Sequence, residues 1–191
     1  MANDDHRKDD EIERCLYCRE PSPTTLDESF NRMQKRIEAN DPVALQQRGS
    51  HYKNDGDYTN AFPSFTKAAN LGNAEAHYQL SLMYRDAHGV RKDNGKEIYH
   101  LEEAAIYGHP WARHNLGARE LSRGRFDRAK RHFIIAATLG YDKSMETLKD
   151  GYTRGFVGKD ELAAALRAHH AAVEETKSPQ REEAALLNRP E

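Results

Sequence analysis

Cysteine is nearly absent: two residues, Cys15 and Cys18, in a chain of 191. That is too few for a disulfide scaffold at this length, and a reducing compartment, cytosol or nucleus, is the expectation. Long hydrophobic runs are missing as well. FIIAATLGY is among the longest, and it falls well short of the ~18 apolar residues that cross a bilayer. The opening residues, MANDDHRKDDE, are acidic and carry no apolar stretch, so no secretory signal is expected. Nor is there an excess of one charge. The formal net charge of −2 argues against bulk attraction to nucleic acid or anionic lipid. Catalytic signatures are missing too: no G-x-S-x-G elbow, no P-loop, no H-E-x-x-H helix and no strand followed by G-x-G-x-x-G. Enzyme activity on a small-molecule substrate is therefore not expected.

What is present is a polar chain, 31% charged and 37% hydrophobic, of a length that suits one elongated domain with tails. It repeats. NDPVALQQRGSHY, GNAEAHYQLSLMY and GHPWARHNLGARE align, each anchored on an alanine, Ala44, Ala76 and Ala112. Their downstream halves, AFPSFTKAANLG, EIYHLEEAAIYG and AKRHFIIAATLG, align too. The anchors lie 32 and 36 residues apart, and a weaker fourth copy at Ser144 follows after another 32. Both halves carry helical periodicity: Ala76, Leu80, Ser81 and Tyr84 share one face, as do Ala129, Phe133, Ala136 and Ala137. A fixed period with two helices per copy means stacked helix–turn–helix units, because one pair cannot bury its apolar face alone. The fold class expected is all-α, a right-handed solenoid of four units.

The second unit, LSLMYRDAHGVRKDNGKEIYHLEEAAIYG, follows a tyrosine, Gly-Val, Lys-Asp and Ala-Ala-x-x-Gly pattern. In this it resembles the Sel-one-like repeat (SLR), a variant of the tetratricopeptide solenoid, and the similarity extends over about residues 41–175. Such a solenoid implies a scaffold or adaptor for protein or peptide partners. Asp93 is placed to cap a helix there. Ala87 stands where a glycine is usual, Glu97 where an alanine is usual, and Pro63 is expected to be tolerated only near the first turn of its helix.

The boundaries expected are a polar segment 1–24, a capping helix 25–40, units at 41–72, 73–108, 109–140 and 141–175, and a mobile tail 176–191. Leu26, Phe30, Met33 and Ile37 form the stripe of the capping helix, which Thr25 and Glu28 open as a capping box. The fourth unit reads as the terminal cap that solenoids need.

Cys15 and Cys18 sit in ERCLYCREP, which resembles the last ligand pair of a RING finger at the point where RING fingers join SLR solenoids. The resemblance implies an N-terminally shortened relative of a RING–SLR family and, as an alternative, the substrate-recruiting part of a zinc-dependent ubiquitin ligase. Two thiolates are half of a structural zinc site. Zinc is expected only if another chain or missing upstream residues complete it, so no cofactor is expected for this chain alone.

Binding residues are read from the helical wheel. With Ala76, Leu80 and Tyr84 inward, Glu75, Tyr78, Leu82 and Arg85 point the other way. Trp111 and His114 hold the matching positions in the third unit and Lys143 in the fourth. In a tetratricopeptide-like solenoid these first helices line the concave groove, so an exposed amphipathic patch for a protein partner is expected there. His100 and His132 occupy equivalent positions in successive units and stacking is expected to bring them near each other, as edge imidazoles and not as a metal site. His169 and His170 read as an exposed pair. The arginines of RELSRGRFDRAKRH read as a solvated face, with RNA binding the weaker alternative.

Overall fold

The structure, a computed structural model, describes residues 25–176. Cys15, Cys18 and the tail after Thr176 lie outside the described residues. Those described form helices joined by short turns, with no strand among them. Helix α1 (Leu26–Glu38) precedes four pairs: α2 (Pro42–Asn54) with α3 (Tyr58–Asn70), α4 (Ala74–Asp86) with α5 (Asn94–Ile106), α6 (Pro110–Ser122) with α7 (Phe126–Thr138), and α8 (Asp142–Thr153) with α9 (Lys159–Thr176). Each second helix also packs against the first helix of the next pair. The chain is thus an all-α helical-repeat solenoid.

Helix starts are set by side chains that satisfy orphan backbone N–H groups. Asp41 accepts from Val43 and Ala44, Asn73 from Ala76, and Asp93 from Gly95 and Lys96. Thr25 Oγ1 accepts from the Glu28 N–H. Helix ends are set by left-handed residues: Gly72, Gly108 and Gly140 close α3, α5 and α7 at φ of 81°, 84° and 82°. Ala87, after α4, adopts φ 60°, a conformation that costs an L residue about 1 kcal/mol.

The core repeats with the sequence. A Cβ placed on Gly49 would lie 2.7 Å from the Phe65 ring, and one on Gly117 would lie 2.8 Å from the Phe133 ring. Glycine therefore lets each aromatic ring press directly against the backbone of the preceding helix. In the second unit, Ser81 and Leu101 take those two positions, a larger residue facing a smaller one.

Pro63 is not in a first turn; it is the sixth residue of α3. Pro63 and Thr59, whose carbonyl loses its usual donor, are both exposed, so the loss falls on the solvent side of the helix, where it costs least. The capping stripe is only partly buried. Ile37 and Met33 join the core of the first unit, while Phe30 is 62% exposed. Helix α1 docks by its C-terminal half, where Arg36 also pairs with Asp41 at 2.7 Å.

Candidate partner-binding face

The first helices α2, α4, α6 and α8 are tied side to side by polar contacts. Lys53 Nζ donates to Gln79 Oε1 at 3.1 Å, and Gln79 Nε2 donates to Glu75 Oε1 at 2.6 Å. Glu75 Oε2 reaches His109 Nε2 at 2.9 Å, and His114 Nδ1 reaches Ser144 Oγ at 2.8 Å.

His109 organises the joint between α4 and α6. It stands where the first two units have Asp41 and Asn73, and its Nδ1 accepts the Ala112 N–H at 3.2 Å as the cap of α6. An accepting Nδ1 fixes the proton on Nε2, which therefore donates to Glu75. That hydrogen bond holds the Glu75 carboxyl below its ordinary range. Sequence reading missed His109. The signal was its alignment with Asp41, each followed by a proline that begins a helix.

The Tyr78 ring stacks on His109 with centroids 4.4 Å apart, and Asn115 Nδ2 donates to its hydroxyl at 3.4 Å. Trp111 stands edge-on to Tyr78 at 5.9 Å and to His109 at 6.1 Å, with Tyr141 on its other side at 6.2 Å. Trp111 is 48% exposed.

The expected patch therefore divides. Tyr78 and His114, expected at the surface, are both 8% exposed. The superhelical stacking of one unit on the next covers them, which a wheel drawn for one isolated helix does not show. Burial raises the Tyr78 hydroxyl above its ordinary value. Burial and, next, the Lys143 charge lower the His114 imidazole. Trp111, Arg85 and Lys143 are exposed, and Glu75 and Leu82 are half-buried.

One turn beyond Tyr78, a cavity of about 230 Å³ opens between α4, α5 and α6. Leu82, Arg85, Asn115 and Ala118 are in its wall, with Glu97 and Arg119. Arg119 Nη1 lies 2.8 Å from Glu97 Oε1. Glu97, which replaces the expected alanine, is 8% exposed. Neither residue was picked as a site residue from sequence, because their encounter depends on how α5 meets α6.

The histidines are placed differently from expectation. His100 meets His77, not His132, with the two Nδ1 atoms 3.1 Å apart. Burial, with the neighbouring His77 and Lys96, pushes His100 down to about 4. His169 is not an exposed residue: it reaches the Ala137 carbonyl at 2.9 Å and Asp142 at 3.0 Å, joining α9 to α7 and α8. Among the described residues no group of three or more His, Cys, Asp or Glu is arranged to hold a metal.

The arginine cluster is largely engaged within the chain. Arg123, Arg125 and Arg128 surround Glu120 at 3.6, 3.3 and 3.9 Å, and Lys130 pairs with Glu161 at 2.9 Å. No helix among the described residues is long and apolar enough to cross a membrane.

No family model matches the sequence. Solved structures do. The chain is similar to a Sel1 repeat protein from Oxalobacter formigenes, with 28% identity and a TM-score of 0.64 over 78% of this chain and 65% of that one. It is also similar to c5321, a protective antigen of uropathogenic Escherichia coli strains displaying an SLR fold, with 25% identity and a TM-score of 0.59. That match covers 77% of this chain and 33% of the antigen, so the chain spans less than two thirds of either neighbour. Nothing in either likeness concerns a RING finger. By the spacing of its helix pairs the chain is an all-α helical-repeat solenoid, and its solved neighbours are Sel1-repeat (SLR) proteins, a fold that suggests a protein-interaction scaffold.

Proposed function

We propose that this chain is a scaffold that holds a peptide or a partner's helix along the concave groove formed by its first helices, with Trp111 as the anchor. One observation carries this reading: a tryptophan about half exposed on a support of packed rings. Exposure of so large an apolar surface on a fixed base is characteristic of residues that dominate interfaces. The partner inserts an apolar side chain beside Leu82 and Trp111, and its acidic groups meet Arg85 and Lys143. Tyr78, His109 and Tyr141 are the support that fixes the indole, and His114 packs behind Tyr141.

The sole tryptophan makes the test direct. Peptides selected from a random library on the immobilised protein are titrated while Trp111 emission is followed. Binding at the groove shifts that emission. Trp111→Ala weakens the same peptides about tenfold or more, with an unchanged helical spectrum. Peptides that bind equally well to Trp111→Ala overturn the reading. The ligase alternative rests on Cys15 and Cys18, which lie outside the described residues. Bound zinc together with ubiquitin transfer by the full chain is its distinguishing result.

A further inference from the structure

Among the described residues, two buried side-chain nitrogens have no hydrogen-bond partner: Nε of Arg113 and Nδ1 of His132. Both residues line one cavity of about 330 Å³ between the second helices α5 and α7, walled by α6. Arg113 follows Trp111 by two positions, which turns its side chain about 200° around the helix. The cavity therefore belongs to a different side of α6 from the proposed partner groove.

Buried polar groups in folded proteins are almost all hydrogen-bonded, so two orphans around one cavity point to a partner of the missing kind. A guanidinium offers only donors. The carboxylate of Glu120 is already shared by Arg123, Arg125 and Arg128, and Arg119 is held by Glu97. Glu102 is the other acid in the wall, and its charge acts on His132 with that of Glu120, against the charge of Arg113. Burial, and after it the Arg113 charge, lowers the His132 imidazole. The neutral ring retains one N–H to donate. Ile98, Ile106 and Leu116 supply an apolar wall beside these groups.

We propose that this cavity binds a carboxylate carried on a short apolar stem, with the oxygens on Arg113 and the hydrocarbon against Ile98, Ile106 and Leu116. A free aliphatic acid and the C-terminal residue of a peptide share that chemistry. The inference is independent of the groove reading.

The test is an NMR titration of the isotope-labelled full chain, following the Arg113 Nε–H and His132 ring signals. The probes are 4-methylpentanoate, an acetylated tripeptide ending in leucine with a free carboxylate, and the amide of each. At least one acid shifts both signals saturably and binds ten times or more tightly than its amide, as expected for a lost charge-assisted hydrogen bond. The tighter of the two acids identifies the source as free acid or chain terminus. Arg113→Gln, checked for an unchanged helical spectrum, weakens the better acid about tenfold or more. If that variant does not fold, the acid-to-amide ratio on the unaltered chain decides. No saturable shift, equal binding of acid and amide, or undiminished binding by a folded Arg113→Gln overturns the proposal.

Discussion

Glu97 and Arg119 face each other at 2.8 Å across the contact of α5 with α6, the carboxylate buried and the guanidinium side chain 30% exposed. A buried ion pair contributes little net stability, since its desolvation offsets its attraction, but either partner alone is costly. Arg119→Met should destabilise the fold by about 2 kcal/mol, below the range for a fully buried pair because Arg119 is partly solvated. Glu97→Ala combined with Arg119→Met should return to within about 1 kcal/mol of the parent. Urea unfolding of both single variants and the double variant measures this. A double variant as unstable as Arg119→Met would place the cost elsewhere.

Ala87 is a left-handed residue without the glycine that suits the position. Ala87→Gly should stabilise the chain by about 0.5–1 kcal/mol, the relieved strain being partly offset by the entropy of glycine in the unfolded state. The shift of the thermal midpoint reads it directly, and an unchanged or lower midpoint would show that the turn is not strained.

Gly117 touches the Phe133 ring so closely that a Cβ would sit 2.8 Å away. Gly117→Ala should cost about 2 kcal/mol by overpacking. Phe133→Leu in the same chain should recover part of that loss, since Ser81 and Leu101 already coexist at the equivalent positions. A double-mutant cycle separates the pair from the two sites. Strict additivity would contradict the contact.

Four imidazoles, His77, His100, His114 and His132, are held below their ordinary value chiefly by burial, His100 to about 4. Their folded values lie below the unfolded 6.5, so the unfolded chain takes up protons first as the pH falls. Their contribution is therefore complete above pH 6.5 and is lost as the pH falls below it, for His100 down to about 4. Thermal midpoints at pH 7.5 and pH 5 should differ by several degrees, and His100→Phe should reduce the difference. Equal midpoints at the two pH values would mean that these rings take up protons without strain.

Much of this was legible in the sequence because it is written in periods. The spacing of Ala44, Ala76 and Ala112 gives the helix pairs, and Gly72, Gly108 and Gly140 give their ends. The face of the first helices was legible only in part. A helical wheel places Tyr78 and Trp111 together, but it cannot say that His109 closes over the former and leaves the latter half exposed. His77 with His100, Glu97 with Arg119, and His169 with Ala137 depend on the depth and angle at which helices meet. Those are set by side-chain volumes summed over whole interfaces. Pro63 was misplaced for a simpler reason: sequence does not show that Thr59 faces water.

The contacts that tie the first helices differ at every step: lysine to glutamine between α2 and α4, glutamate to histidine between α4 and α6, and histidine to serine between α6 and α8. Helix pairs this alike in outline face a combinatorial hazard, since any one could settle on the wrong neighbour or on the same pair in a second chain. Dissimilar joints give each unit an address. A unit that met a different neighbour would leave Glu75 or His114 facing a group that does not complete its hydrogen bond.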